Sequence, residues 1–308
     1  MTEAIIGLSA SEQQLVAAAG DVCTASDTNT LFGANSDLPM LLVESAHCRA
    51  VISLYGAQLL SFAPAGQRDF LWLSPLERFQ PGQAIRGGIP VCAPWFGVNR
   101  RENSLPKHGF LRNRRWILQS FNAADEQVEL SLAYQSTEED LSLFAWPIRA
   151  ELRIILGREL EQVLSISNLG ESAMPLSFAL HSYLSVSDVG EAKVCGLDQQ
   201  MYLDNCQGLS AFVQSGEVSF PGEVDRVYES QQSAQQLVDG QRTLSISGVD
   251  CETVIVWNPG AELAQQMADV GAYHKDYVCV ERGRAFADEV ILGAGERHEA
   301  VMRLASVD

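Results

Sequence analysis

The sequence predicts an all-β protein built as a sandwich or barrel, and three observations predict it. Short apolar–polar alternations recur along the chain, the pattern of half-buried strands. Gly, Asn, Pro and Asp punctuate the gaps between them. Only two stretches read as convincing helix, one near the N-terminus and a short one near 261–268. Many strands with few helices imply stacked or closed sheets.

The elements follow in order. Ser9 and Glu12 fit a capping box, 13–19 is a good helix former, and Gly20 is a plausible stop. Residues 24–37 are rich in Thr, Asn, Ser and Asp and read as loop. Residues 1–37 are therefore expected to form a helical arm and linker, and 38–308 the β domain. Strands are expected at 128–134 (VELSLAY), 152–156 (LRIIL), 163–167 (VLSIS), 243–247 (TLSIS), 253–257 (TVIVW), 277–280 (YVCV) and 300–304 (AVMRL). No self-similarity at 20–50 residues suggests a propeller or solenoid. Neither GxGxxG nor GxxxxGK[ST] occurs, so nucleotide folds find no support.

Composition narrows the function. With 46% of its 308 residues apolar, the chain can bury a large core. No stretch approaches the ~20 apolar residues of a membrane helix, and the N-terminus lacks the basic and apolar regions of a secretory signal. Seven scattered cysteines without a CxxC pair suggest neither a zinc site nor a disulfide framework. Reduced, buried thiols in a cytoplasmic protein are expected. A net charge of −18 argues against nucleic acid and anionic membrane as partners.

Three segments combine unusual residues with turn chemistry. In IRGGIPVCAPWFG (85–97), Arg86 precedes a glycine pair that lets backbone approach a ligand, and an arginine there can grip phosphate or carboxylate oxygens. In LPKHGFLRNRRW (105–116), His108 sits among Lys107, Arg112, Arg114 and Arg115, with Arg100 and Arg101 upstream. This is the dense basic patch of an acidic chain. Screening over ~8 Å makes local charge outweigh distant charge, so −18 does not forbid an anion here. The third segment is ALHSY (179–183), with His181 in an apolar run, read together with Glu281 in YVCVERG (277–283). Taken singly, each has an ordinary structural explanation: a surface turn, a solvated charged loop, a hydrogen-bonded core histidine, a carboxylate leaving a strand end for water.

Taken in order they are specific. The series resembles the aldose 1-epimerase superfamily, and within it the hexose-6-phosphate mutarotases. The resemblance continues through FALHSYLSVSDV, GLDQQMYLDNC, VDRVY and VWNPG…MADVGAYHKDYVCVERG, so it covers the chain from about Leu41 onward. It implies a large galactose-mutarotase-like β-sandwich (a supersandwich) with a few short helices. It also implies roles: His181 as the acid that protonates the ring oxygen, Glu281 as the base on the C1 hydroxyl, and His108 as a second histidine near the ring. Asp204 matches a sugar-binding aspartate, with Asp198 as the alternative. Arg86 and Arg112 match positions that hold the 6-phosphate, and Lys107 beside them is expected to assist. Ala93 and Gly260 depart from the family pattern and are expected to reshape pocket walls.

Mutarotation opens a hemiacetal and closes it on the other face. That takes an acid and a base, with no redox step, nucleophile or metal, so neither cofactor nor metal is expected. The expected partner is a small hexose 6-phosphate, and the expected state is a cytoplasmic monomer. An ionised Glu281 beside His181 is expected to raise the histidine pKa. The alternatives are a free-aldose epimerase, a non-catalytic sugar-phosphate sensor on the same fold, and a glycosidase using Glu281 with Asp204.

Overall fold

The computed structural model describes residues 7–100 and 102–307. Two eight-stranded antiparallel sheets carry most of the chain. One runs in the order Lys193–Cys195, Gln235–Val238, Thr243–Val249, Arg297–Ser306, Leu160–Asn168, Ile148–Leu156, Val128–Gln135, Ile117–Ala123. The other runs Ser210–Val213, Met201–Asp204, Val224–Tyr228, Thr253–Asn258, Tyr277–Arg284, Phe178–Leu180, Val91–Cys92, and Tyr183–Ser185 also pairs with Tyr277–Arg284. A four-stranded sheet of Cys23–Asp27, Pro39–Glu44, Cys48–Ser53 and Gln58–Pro64 adjoins them.

Alternation explains why the two large sheets pack as a sandwich. Leu130, Leu152, Leu164 and Met302 of the first share one buried cluster with Val254, Val256, Val278 and Val280 of the second. Each such side chain contributes roughly 1.5–3 kcal/mol by leaving water. All seven expected strands are present, each running at least one residue longer than its alternation suggests. The short late helix forms as Gly260–Ala264.

The N-terminal reading holds for the helix and fails for the segment after it. Ala10–Ala18 is helical, with Ser9 and Glu12 capping each other reciprocally. Residues 24–37, expected as loop, instead contribute to a strand and a helix. Cys23–Asp27 pairs antiparallel with Pro39–Glu44, and Thr28–Phe32 forms a short helix whose first turn is capped by Asp27. The polar residues that suggested a loop serve an edge strand and its cap. Asp27 accepts from the Thr30 amide at 2.8 Å, and the buried Thr28 hydroxyl donates to the Ser36 carbonyl at 2.6 Å.

Five of the seven cysteines are buried and all seven are free thiols. No helix among the described residues is long and apolar enough to cross a membrane.

Candidate active site

Three neighbouring strands build the floor of a cleft by simple alternation. In Thr253–Asn258, Val254 and Val256 enter the core, which turns Ile255 and Trp257 to the other face. In Tyr277–Arg284, Val278 and Val280 enter the core, which turns Tyr277, Cys279 and Glu281 the other way. In Val224–Tyr228, Val224 and Tyr228 go inward, leaving Asp225 and Val227 on the cleft side. The register sets Ile255 opposite Glu281 and Asp225 opposite Trp257. Glu281 therefore lies within a strand that continues to Arg284, 1% exposed, and is not a carboxylate leaving a strand end.

His181 occupies the break between Phe178–Leu180 and Tyr183–Ser185. Its amide donates to the Pro90 carbonyl at 3.0 Å, and the Tyr183 amide donates to the Gly88 carbonyl at 2.9 Å. The RGGIP segment thus fixes the histidine from behind. His108 arrives by a different device. It adopts a left-handed φ of 67°, and the next residue, Gly109, presses against the Ala93 carbonyl. A Cβ on Gly109 would lie 2.0 Å from that oxygen, so only glycine permits the approach. The Gly97 amide donates to His108 Nδ1 at 3.4 Å, which leaves the ring proton on Nε2.

His108, Arg112, Lys107, Arg86, His181, Asp225 and Glu281 all line one cleft of about 1130 Å³. At its base His181 Nε2 lies 3.3 Å from Glu281 Oε1. The other atoms of this pair, His181 Nδ1 and Glu281 Oε2, are buried without a hydrogen-bond partner among the described residues.

Burial dominates the electrostatics of the pair. It pushes the Glu281 carboxyl well above the usual carboxylate range, assisted by the Asp225 charge and opposed by Arg112. It pushes His181 well below 6.5, assisted by His108, Arg112 and Arg86. The expectation that an ionised Glu281 raises the histidine is thus reversed, because desolvation penalises both charged forms. Together the pair favours an uncharged state holding one proton. His108 is lowered to about 3 by burial and by Arg112, Lys107 and Arg86, so it is a neutral imidazole at physiological pH.

The cations divide into two groups. Arg86 is engaged: its Nε donates to Asp269 at 2.8 Å and its Nη1 to the Tyr183 hydroxyl at 2.9 Å. Lys107, Arg112 and Arg100 line the cleft without an ion-pair partner among the described residues. Arg112 donates to the Lys107 carbonyl at 2.9 Å, and Arg100 lies over the Phe286 ring.

The register keeps Asp204 away from this group. It pairs with Arg226, one step from the cleft-facing Asp225 and Val227, so it belongs to the opposite face. Its oxygens accept from the Cys206 amide at 3.0 Å and the Gln207 side chain at 2.9 Å. Asp198 accepts from the Gly216 amide at 2.6 Å, and neither aspartate lines the cleft. Asp225 does, and the sequence reading passed over it although VDRVY was in view. The signal was the alternation Asp225, Val227 beside a buried Val224. Ala93 and Gly260 do not line the cleft either, so the expected reshaping of its walls at these positions is not seen. Among the described residues, no group of His, Cys, Asp and Glu is arranged to hold a metal ion.

The family model of aldose 1-epimerase matches residues 39–305. A Salmonella typhimurium protein, provisionally named glucose-6-phosphate 1-epimerase, is 34% identical over 256 residues, covering 82% of this chain and 85% of that one. The crystal structure of a Salmonella typhimurium protein described provisionally as a mutarotase superposes with a TM-score of 0.82 at 31% identity, covering 88% of this chain and 90% of that one. A galactose mutarotase-like protein from Clostridium acetobutylicum, 15% identical, shares the fold with a TM-score of 0.73 over 93% of this chain and 98% of that one. A sandwich of this kind, a buried histidine–glutamate pair at its cleft, and a family match spanning nearly the whole β domain lead to one assignment: the chain belongs to the aldose 1-epimerase family.

Proposed function

We propose that this protein is a hexose-6-phosphate mutarotase, interconverting the α and β anomers of glucose 6-phosphate and similar aldohexose 6-phosphates. The observation that carries this reading is the buried His181–Glu281 pair, 3.3 Å apart, beside Lys107 and Arg112, cations with no acidic partner among the described residues.

Glu281 takes the proton of the C1 hydroxyl as the C1–O5 bond breaks and its electrons pass to O5. His181 delivers a proton to O5. Rotation about C1–C2 presents the other carbonyl face, and closure returns both protons. The pair starts and ends with one proton, so it suits a reaction that runs equally in both senses. Each such transfer typically contributes ~10²–10⁴-fold. A substrate hydroxyl that hydrogen-bonds the Glu281 carboxylate favours its ionised form and moves the shared proton to His181. His108 Nε2–H and Asp225 supply a donor and an acceptor for the ring hydroxyls. Arg112 and Lys107 hold the phosphate by charge-assisted hydrogen bonds.

The chemistry is redox-neutral and its protons come from side chains, so it calls for no cofactor. Free thiols support a cytoplasmic setting, and no heptad or repeat in the sequence suggests assembly beyond a monomer. The test is NMR exchange between the α and β H1 signals of glucose 6-phosphate, with native protein and with Glu281→Gln. Acceleration by the native protein, lost in the variant and weaker on glucose, is expected. Equal acceleration on glucose makes it a free-aldose epimerase. Saturable sugar-phosphate binding without acceleration makes it a sensor.

A further inference from the structure

His181 lacks the support that usually orients a working imidazole. Its Nδ1 has no hydrogen-bond partner among the described residues, whereas the second nitrogen of a functional histidine is ordinarily held by a carbonyl or carboxylate. Packing must therefore set the plane of the ring. Tyr183 supplies a flat face for it: the two rings lie 4.7 Å apart between centroids with planes only 8° from parallel. Tyr183 is 2% exposed; Trp72 stacks against it at 5.9 Å and Tyr277 packs at a tilt, 5.3 Å away.

Tyr183 is pinned in turn. Arg86 Nη1 donates to its hydroxyl at 2.9 Å, and Arg86 Nε donates to Asp269 Oδ2 at 2.8 Å. Asp269 is itself fixed by the Ser74 hydroxyl, which donates to its carbonyl at 2.6 Å. The following residue, Val270, is buried in the same cluster as Tyr183. A carboxylate, a guanidinium, a phenol and an imidazole form one continuous chain of contacts from a loop to the reacting pair.

We propose that Asp269, Arg86 and Tyr183 are positioning residues that set the plane of the His181 imidazole so that Nε2 faces Glu281 and the sugar ring oxygen. The identity of that substrate atom rests on the mutarotase reading above. Arg86 then serves the chemistry through Tyr183, with its charge balanced by Asp269, and phosphate recognition falls to Arg112, Lys107 and Arg100.

The experiment compares Tyr183→Phe, Asp269→Asn and Arg86→Lys with native protein on glucose 6-phosphate and on glucose, by anomeric NMR exchange. Tyr183→Phe keeps the stacked ring and removes only the hydroxyl that Arg86 pins. Arg86→Lys keeps the charge and loses the two-pronged bridge. Each is expected to lower kcat by about ten-fold or more on both sugars, since small misplacements of a catalytic group cost up to ~10². KM is expected to stay within about two-fold, leaving the preference for the phosphosugar intact. A rise in KM confined to glucose 6-phosphate, with kcat unchanged, overturns the proposal and returns Arg86 to the phosphate. Full kcat in Arg86→Lys also overturns it. A second readout needs no activity: the ¹⁵N and ¹³C imidazole signals of His181 in the ligand-free protein. These should be single and narrow in the native protein and broadened or doubled in Tyr183→Phe and Asp269→Asn; unchanged signals overturn the proposal. A native protein that exchanges no anomers removes the mutarotase reading, while the imidazole signals still judge the positioning.

Discussion

His181 Nε2 and Glu281 Oε1 lie 3.3 Å apart at the base of the cleft, one carried by a strand break and the other by the middle of a strand. Neither side chain has another hydrogen-bond partner among the described residues. Two ionisable groups buried together and left otherwise unpaired are costly for stability alone, and such pairs gather where protons are moved.

Removing either partner should abolish turnover while leaving the fold intact. Glu281→Gln and His181→Asn are each expected to lower kcat on glucose 6-phosphate by about 10²–10⁴-fold. Stopped-flow polarimetry checks this. Activity within ten-fold of native in either variant excludes that residue from proton transfer.

The pH profile should be bell-shaped with widely spaced limbs. The pair works with one proton. Acid inactivation adds a second, to His181, whose pKa burial and neighbouring positive charge hold well below 6.5, so the acid limb should fall below that value. Alkaline inactivation removes the shared proton, which burial of Glu281 holds well above the carboxylate range. The two limbs belong to the pair and not to either residue. Glucose measured in parallel separates out the substrate phosphate, whose second pKa is about 6. An acid midpoint at or above 6.5 on glucose contradicts the assignment.

Phosphate recognition should reside in the basic segment. Arg112→Ala is expected to reduce the selectivity for glucose 6-phosphate over glucose by about ten-fold or more, the worth of a charge-assisted contact of roughly 1.5–3 kcal/mol. Competition between the two sugars measures it. An equal loss on both contradicts a phosphate role.

The two aspartates should separate cleanly. Asp225 lines the cleft, so Asp225→Asn should raise KM or lower kcat on both sugars. Asp204 accepts from Cys206 and Gln207 on the opposite face, so Asp204→Asn should lower thermal stability and leave KM unchanged. The reverse pattern restores Asp204 as the sugar ligand.

The N-terminal helix should contribute to the stability of the whole. The Glu12 side chain is 2% exposed and accepts from Arg115 at 2.9 Å and from the Leu118 amide at 3.0 Å. Glu12→Ala leaves the Leu118 amide without its acceptor and Arg115 with only the Gly7 carbonyl, and should cost about 2–4 kcal/mol, read from the urea midpoint. Burial alone would raise the Glu12 pKa, but hydrogen bonds from Ser9, Leu118 and Arg115 more than offset it, so the folded value lies below 4.5. Its contribution is therefore full above pH 4.5 and lost as pH falls through that lower value.

Much of this protein was legible in one dimension. Alternation located the seven core strands because a strand's side chains switch faces at every residue, a local property. The Ser9–Glu12 box marked the first helix because both partners lie within one turn. His181, Glu281, His108, Arg86, Arg112 and Lys107 stood out as residue types in ordered segments, and all of them line one cleft. The strand at Cys23–Asp27 was not legible, because polar residues at a sheet edge look like a loop until their partner strand is known. Asp204 and Asp198 were weighed and Asp225 was passed over, because which aspartate faces the cleft depends on register, and one step of register reverses every side chain. The protonation of the His181–Glu281 pair was likewise out of reach. A sequence names the two groups, but only the packed sheets exclude the water that would otherwise stabilise their charges.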